Sequence, residues 1–147
     1  MLVASNSAMS ELEDMERLEK LEEQIQELRE QSDDGAAIIV EGKRDRRALR
    51  ELGITGPVKL GTQKALLELC EEVAREYNKV IVLTDWDENG DKLARLMAEF
   101  LNNAGATVDT DIRKRIKALV KKRIKDIESL NTHVFNLRAE LNTLDSV

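Results

Sequence analysis

Apolar residues follow three spacings along this chain of 147 residues, and each spacing predicts a different kind of element. Between Ser10 and Gln31 there is no Gly or Pro, and Leu18, Leu21, Ile25 and Leu28 recur in a 3-4-3 rhythm among Glu, Gln and Arg. Good helix formers with one narrow apolar seam make a helix that needs a partner. Ser32-Asp33-Asp34-Gly35 reads as its stop and a linker. From Gly35 onward, short apolar runs alternate with amphipathic stretches, the signature of βα units. Strands are expected at 36–41, 58–60, 80–84 and, briefly, 106–108, with helices at 45–52, 63–77 and 91–103.

A third rhythm begins where Asp109 to Asp111 caps a long helical segment. Ile116, Val120, Ile127, Leu130, Val134, Leu137, Leu141 and Leu144 return at helical intervals, and Val120, Ile127, Val134 and Leu141 share one heptad position. This predicts either one long helix or a pair broken near Asn131-Thr132, whose polar side chains can cap a second helix. The expected fold class is α/β, with a parallel sheet flanked by an N-terminal amphipathic helix and C-terminal coiled-coil-like helices. The segments are 1–34, 35–109 and 110–147.

The distribution of charge changes the picture more than its sum. The net charge is −6, yet residues 10–34 carry eleven acids against Arg17, Lys20 and Arg29, which leaves the remainder at +2. An acidic appendage thus masks a mildly basic body, and the low pI does not exclude a nucleic-acid partner. The single Cys, Cys70, rules out an internal disulfide framework and fits a reducing compartment. Residues 1–10 lack a basic n-region, and no apolar run approaches the roughly 18 residues of a membrane span. The expectation is a cytoplasmic protein with no membrane association.

Candidate chemistry lies at the ends of two apolar runs. Val80-Ile81-Val82-Leu83 leads into Asp85-Trp86-Asp87-Glu88-Asn89-Gly90, and Ala36 to Val40 leads into Glu41-Gly42-Lys43-Arg44-Asp45. If the two runs are neighbouring parallel strands, Glu41, Asp85 and Asp87 meet at the carboxyl edge, where open α/β sheets bind ligands. Oxygen ligands without thiolates or imidazoles describe a Mg²⁺ site, with Mn²⁺ as a substitute. A solvated acidic loop capping the next helix is the plain alternative. A calcium loop matches at Asp85, Asp87, Asn89 and Gly90 but fails at Leu96, where a bidentate Glu is required.

A strand ending in Glu-Gly, followed two βα units later by a strand ending in D-x-D-x-x-G, resembles the Toprim domain of topoisomerases, bacterial-type primases and ribonuclease M5. Glu41-Gly42-Lys43-Arg44-Asp45 and Leu83-Thr84-Asp85-Trp86-Asp87 are most similar to the small stand-alone Toprim proteins of archaea and to the Toprim half of ribonuclease M5. The resemblance covers roughly residues 35–108. It implies a Rossmann-like parallel sheet, a magnesium site on Asp85 and Asp87, and Glu41 as a further ligand or general acid/base. Lys43 can add a positive contact to the same phosphate.

The rest of the chain narrows the activity. Tyr77, the single tyrosine, ends a predicted helix inside the body and does not suit a topoisomerase nucleophile; one Cys and one His, His133, cannot build a primase-type zinc site. Two readings remain. One is a magnesium-dependent enzyme acting on phosphodiesters of RNA or, less favoured, DNA. The other is a non-catalytic module that binds nucleic acid or a nucleotide, or serves as a dimeric scaffold.

Two basic clusters can hold a polyanion: Lys43, Arg44, Arg46, Arg47 and Arg50, and a longer set from Arg113 to Lys125. Alternatively, the second cluster pairs antiparallel with the acidic helix, within or between chains. A homodimer through the helical ends is expected, and a protein partner could complete the enclosure of a substrate. Trp86 either stacks on a base or packs beneath the next helix. Cys70 is expected to be buried, and His133 to lie on a helix surface.

Overall fold

The computed structural model describes residues 2–145, and the βα alternation read from the sequence is present in it. The elements are α1 (Leu2–Asp33), β1 (Ala37–Val40), α2 (Lys43–Glu51), β2 (Val58–Leu60), α3 (Leu66–Glu76), β3 (Lys79–Val82), α4 (Glu88–Asn103), β4 (Thr107–Asp109), α5 (Asp111–Val120) and α6 (Leu130–Asp145). All strands pair in parallel in the order β2-β1-β3-β4. Ile38 faces Ile81 and Ile39 faces Val82 across the central pair. The chain leaves β1 towards one edge and β3 towards the other, so the topological switch point falls between these two strands.

Strand alternation sends side chains to two cores. Ala37, Ile39, Val80 and Val82 pack against Leu69, Cys70 and Val73 of α3 and Ala94, Met97 and Leu101 of α4. Ala36, Ile38, Val40, Ile81 and Leu83 pack on the other side, where α1, α2, α5 and α6 contribute Leu21, Ile25, Leu28, Leu49, Ile112, Ile116 and Val134. Both faces of a parallel sheet must be covered. Here the chain ends supply much of one cover.

The seam of α1 therefore finds its partner within the chain. Leu21, Ile25 and Leu28 are fully buried, and Leu18 packs at the margin. Contacts of Gln31 with Asp109, Glu27 with Arg115 and Asp14 with Arg123 show that α1 runs antiparallel to α5 and the segment after it. Arg138 of α6 pairs with Glu22 of α1. The expected linker at 32–35 is docked rather than loose: Gly35 has φ +102°, the left-handed conformation of a helix C-terminus, and Ser32 Oγ accepts from Gly56 N at 3.0 Å.

Of the two shapes expected for the C-terminal segment, the structure has the helix pair, with its break displaced from Asn131-Thr132. Helix α5 stops at Val120 and α6 starts at Leu130, so the break lies at 121–129, ahead of Asn131-Thr132. Tertiary bonds outweigh the helical pattern there. Ile124 O accepts from Trp86 Nε1 at 2.6 Å, Lys125 O accepts from Trp86 N at 3.2 Å, and Ile127 is buried in the core. Among the described residues, no helix is long and apolar enough to cross a membrane.

Candidate metal and phosphate site

Glu41 follows β1 and Asp85 follows β3, so the register of the central strands brings them together at the switch point. Glu41 Oε2 accepts from Asp85 N at 2.7 Å. The carboxylate of Asp85 turns towards the 121–129 segment, where its Oδ1 accepts from Ile127 N at 3.2 Å. Burial pushes the Asp85 carboxyl up to about 7, and the neighbouring charge of Glu41 adds to the rise against the opposing Ile127 N–H. An isolated carboxylate that is desolvated beside another acid prefers a proton or a cation.

Asp87 performs a different local task. It is the N-cap of α4, and its Oδ1 accepts from Gly90 N at 2.7 Å. Helix α4 consequently starts at Glu88, before the Asp91 expected from sequence. Gly90 belongs to the first turn of α4 and is required by close approach: a Cβ there would overlap the Asp85 carbonyl oxygen. Thr84 Oγ1 donates to Gly90 O at 2.7 Å and holds the same turn.

Four further residues, Arg113, Lys117, Asp45 and Asp126, shape this edge in ways their place in the sequence does not show. Arg113, counted there among the basic surface residues, is buried: its Nε donates to Thr84 O at 2.9 Å, and its Nη2 reaches Asp85 O and Asp91 Oδ1. It positions the loop that carries the acids, and it is unavailable to a polyanion. Lys117 Nζ joins it on Asp91 at 2.9 Å, so the two cations hold the Asp91 carboxyl below its ordinary range. Asp45 is buried at the start of α2, where its Oδ2 accepts from Gly42 N at 3.1 Å. Burial and the charge of Asp85 raise its carboxyl to about 6. Asp126, in the 121–129 segment, adds negative potential at both Asp85 and Asp45.

A signal for Arg113 was available, since 113, 116 and 120 lie on one helical stripe whose other members are buried. Lys43 opens α2 with an exposed side chain. Trp86 is buried with its indole N–H bonded to Ile124 O, which is the packing alternative rather than base stacking. His133 is half-buried, and burial lowers its imidazole pKa. Cys70 is buried, as expected, and burial raises its thiol to about 11.

The Toprim domain model matches residues 36–119, from the lead-in to β1 almost to the end of α5. The chain belongs to the Toprim family. A UPF0292 protein of Methanosarcina acetivorans is 44% identical over 114 residues, covering 78% of this chain and 79% of that protein. One from Pyrococcus horikoshii is 44% identical over 94 residues, covering 64% of this chain and 70% of its own length. A solved structure of a protein from Aquifex aeolicus superposes with a TM-score of 0.64 at 33% identity, covering 74% of this chain and 95% of that one. Toprim domains typically bind divalent metals such as Mg²⁺, and the family points to a metal-dependent role connected with nucleic acid.

The donor chemistry of this Toprim protein suits such an ion. Glu41, Asp85 and Asp87 offer oxygen alone, which favours a hard cation over zinc. Their present arrangement is looser than a coordination sphere: among the described residues, no group of three His, Cys, Asp or Glu side chains is placed to hold a metal ion. Glu41 and Asp85 are joined, while Asp87 serves its helix.

Proposed function

We propose that this Toprim protein carries out magnesium-dependent chemistry on phosphodiester bonds of nucleic acid, RNA somewhat ahead of DNA. The observation that carries the reading is the joining of Glu41 to Asp85 at the switch point of the sheet. Glu41, Asp85 and Asp87 would hold Mg²⁺, or Mn²⁺ in its place, and the bound cation would neutralise charge on a phosphate. Glu41 also accepts or returns a proton, a role open to a carboxylate beside the metal. Lys43, exposed on the first turn of α2, steadies the phosphate as a point charge. Arg113 acts from behind, fixing the carbonyls of Thr84 and Asp85 so that the acid-bearing loop does not drift.

One observation supports the alternative of a binding module without turnover. The Asp87 carboxylate is engaged by the N-terminus of α4 and that of Asp85 by Ile127 N–H, so ligand binding must compete with bonds the fold already makes. End-labelled RNA and DNA incubated with Mg²⁺ separate the readings. Hydrolysis by the wild type that disappears in Glu41→Gln and Asp85→Ala supports the enzyme. Retention of substrate by the wild type with no product supports the module.

A further inference from the structure

The two basic clusters of the sequence have different fates in the fold. In the C-terminal set, Arg113 and Lys117 are paired with Asp91, Arg115 with Glu27, and Arg123 with Asp14, while Lys114, Lys121, Lys122 and Lys125 have no ion-pair partner among the described residues. The α2 set lies directly beside the acid site, on the helix that begins two residues after Glu41. Lys43, Arg46, Arg47 and Arg50 follow an i, i+3, i+4, i+7 spacing, while Asp45, Ala48 and Leu49 take the buried face. Together with Arg44 they line a shallow groove of about 290 Å³ that contains no carboxylate.

Arg50 is used structurally, donating to Ile54 O and Gly56 O, and Arg44 lies 3.8 Å from Glu128 with both side chains largely in solvent. Lys43, Arg46 and Arg47 have no ion-pair partner among the described residues. Like charges at helical neighbour positions repel, so a groove built only of them is stabilised by an external polyanion.

We infer that α2 is the anchor for the phosphate backbone of the nucleic acid, leading a strand to Glu41 at the helix's N-terminal end. This rests on the proposed function for its partner class and adds where and how that partner is held. Residues 43 to 50 rise about 10 Å along the helix axis, so the row of cations can follow a short stretch of one strand's phosphate backbone. The only Trp of the chain, Trp86, is buried, and Lys and Arg contacts to phosphate carry no base information. Binding through α2 is thus salt-sensitive, indifferent to sequence and independent of Mg²⁺.

The test is fluorescence anisotropy of the full chain with a labelled 20-nucleotide single-stranded RNA, and DNA of matching sequence, in EDTA from 50 to 200 mM NaCl. Arg46→Gln/Arg47→Gln is expected to weaken binding at least fivefold at 50 mM and to flatten the log K against log salt slope by about 1.4. Arg115→Gln/Arg123→Gln, on the C-terminal cluster where both cations are paired with acids of α1, is expected to change it less than twofold. Unchanged thermal melting of the α2 variant excludes misfolding as the cause. Wild-type-like affinity of Arg46→Gln/Arg47→Gln, or a larger loss from the C-terminal pair, overturns the inference while leaving the acid site intact. Absence of any binding by the wild type in EDTA overturns the inference, and absence in Mg²⁺ as well overturns the proposed function with it.

Discussion

Asp85 and Asp91 stand six residues apart at the same end of the sheet, yet their surroundings are opposite. Asp91 receives hydrogen bonds from Arg113 and Lys117 and is held strongly ionised. Asp85 is half-buried beside Glu41 with one backbone N–H donating to its carboxylate, and its carboxyl rises to about 7. The first environment is that of a group completed by its own chain. The second resists ionisation unless a cation arrives from outside, and perturbed acids of that kind mark candidate sites.

The compensated side should break hardest. Arg113→Ala leaves the carbonyls of Thr84 and Asp85 and the carboxylate of Asp91 without their buried donor. A loss of about 3 kcal/mol in urea unfolding is expected, with Arg113→Lys recovering only part of it because a single ammonium cannot span three acceptors.

Asp85→Asn should act in the opposite direction in metal-free protein. The folded pKa of Asp85 lies above its unfolded value of 3.8, so its contribution to stability is present below pH 3.8 and is lost as pH rises through about 7. Asp45, raised to about 6, adds a change of the same sign. In EDTA at pH 8 the variant should therefore be the more stable by about 1 kcal/mol, with the gap closing towards pH 4. Thermal melts across that range check it, and a wild type more stable than the variant at pH 8 would show that Asp85 is already compensated.

Smaller effects test the supporting parts. Trp86→Phe removes the bond to Ile124 O; about 1 kcal/mol is expected, together with faster hydrogen exchange confined to 121–129. Arg138→Ala removes an exposed ion pair with Glu22 and should shift stability by less than about 0.5 kcal/mol.

The contrast between Asp85 and Asp91 also explains what could be read in the sequence. Uninterrupted apolar runs made β1 and β3 visible, and residues at strand ends must lie at a sheet edge, so Glu41 and Asp85 could be paired without coordinates. Helix α1 was legible because its seam repeats over two heptads, although burial of Leu21, Ile25 and Leu28 in the main core depends on tertiary packing. The roles of Arg113, Lys117 and Asp126 are not legible in the sequence because they arise between elements distant along the chain, and the same holds for the proximity of Asp45 to Asp85, although its bond to Gly42 N is local. The arrest of α5 at Val120 was equally hidden: it is associated with bonds from Trp86, more than thirty residues earlier.

The most direct test of the acid site is a titration of metal-free protein with Mn²⁺ followed by the free-ion electron paramagnetic resonance signal, using wild type, Glu41→Gln and Asp85→Asn. The account predicts that the wild type removes Mn²⁺ from the free signal, that added Mg²⁺ returns it, and that both variants bind at least tenfold more weakly. Equal Mn²⁺ uptake by wild type and Asp85→Asn, or none by the wild type even with RNA present, would contradict it.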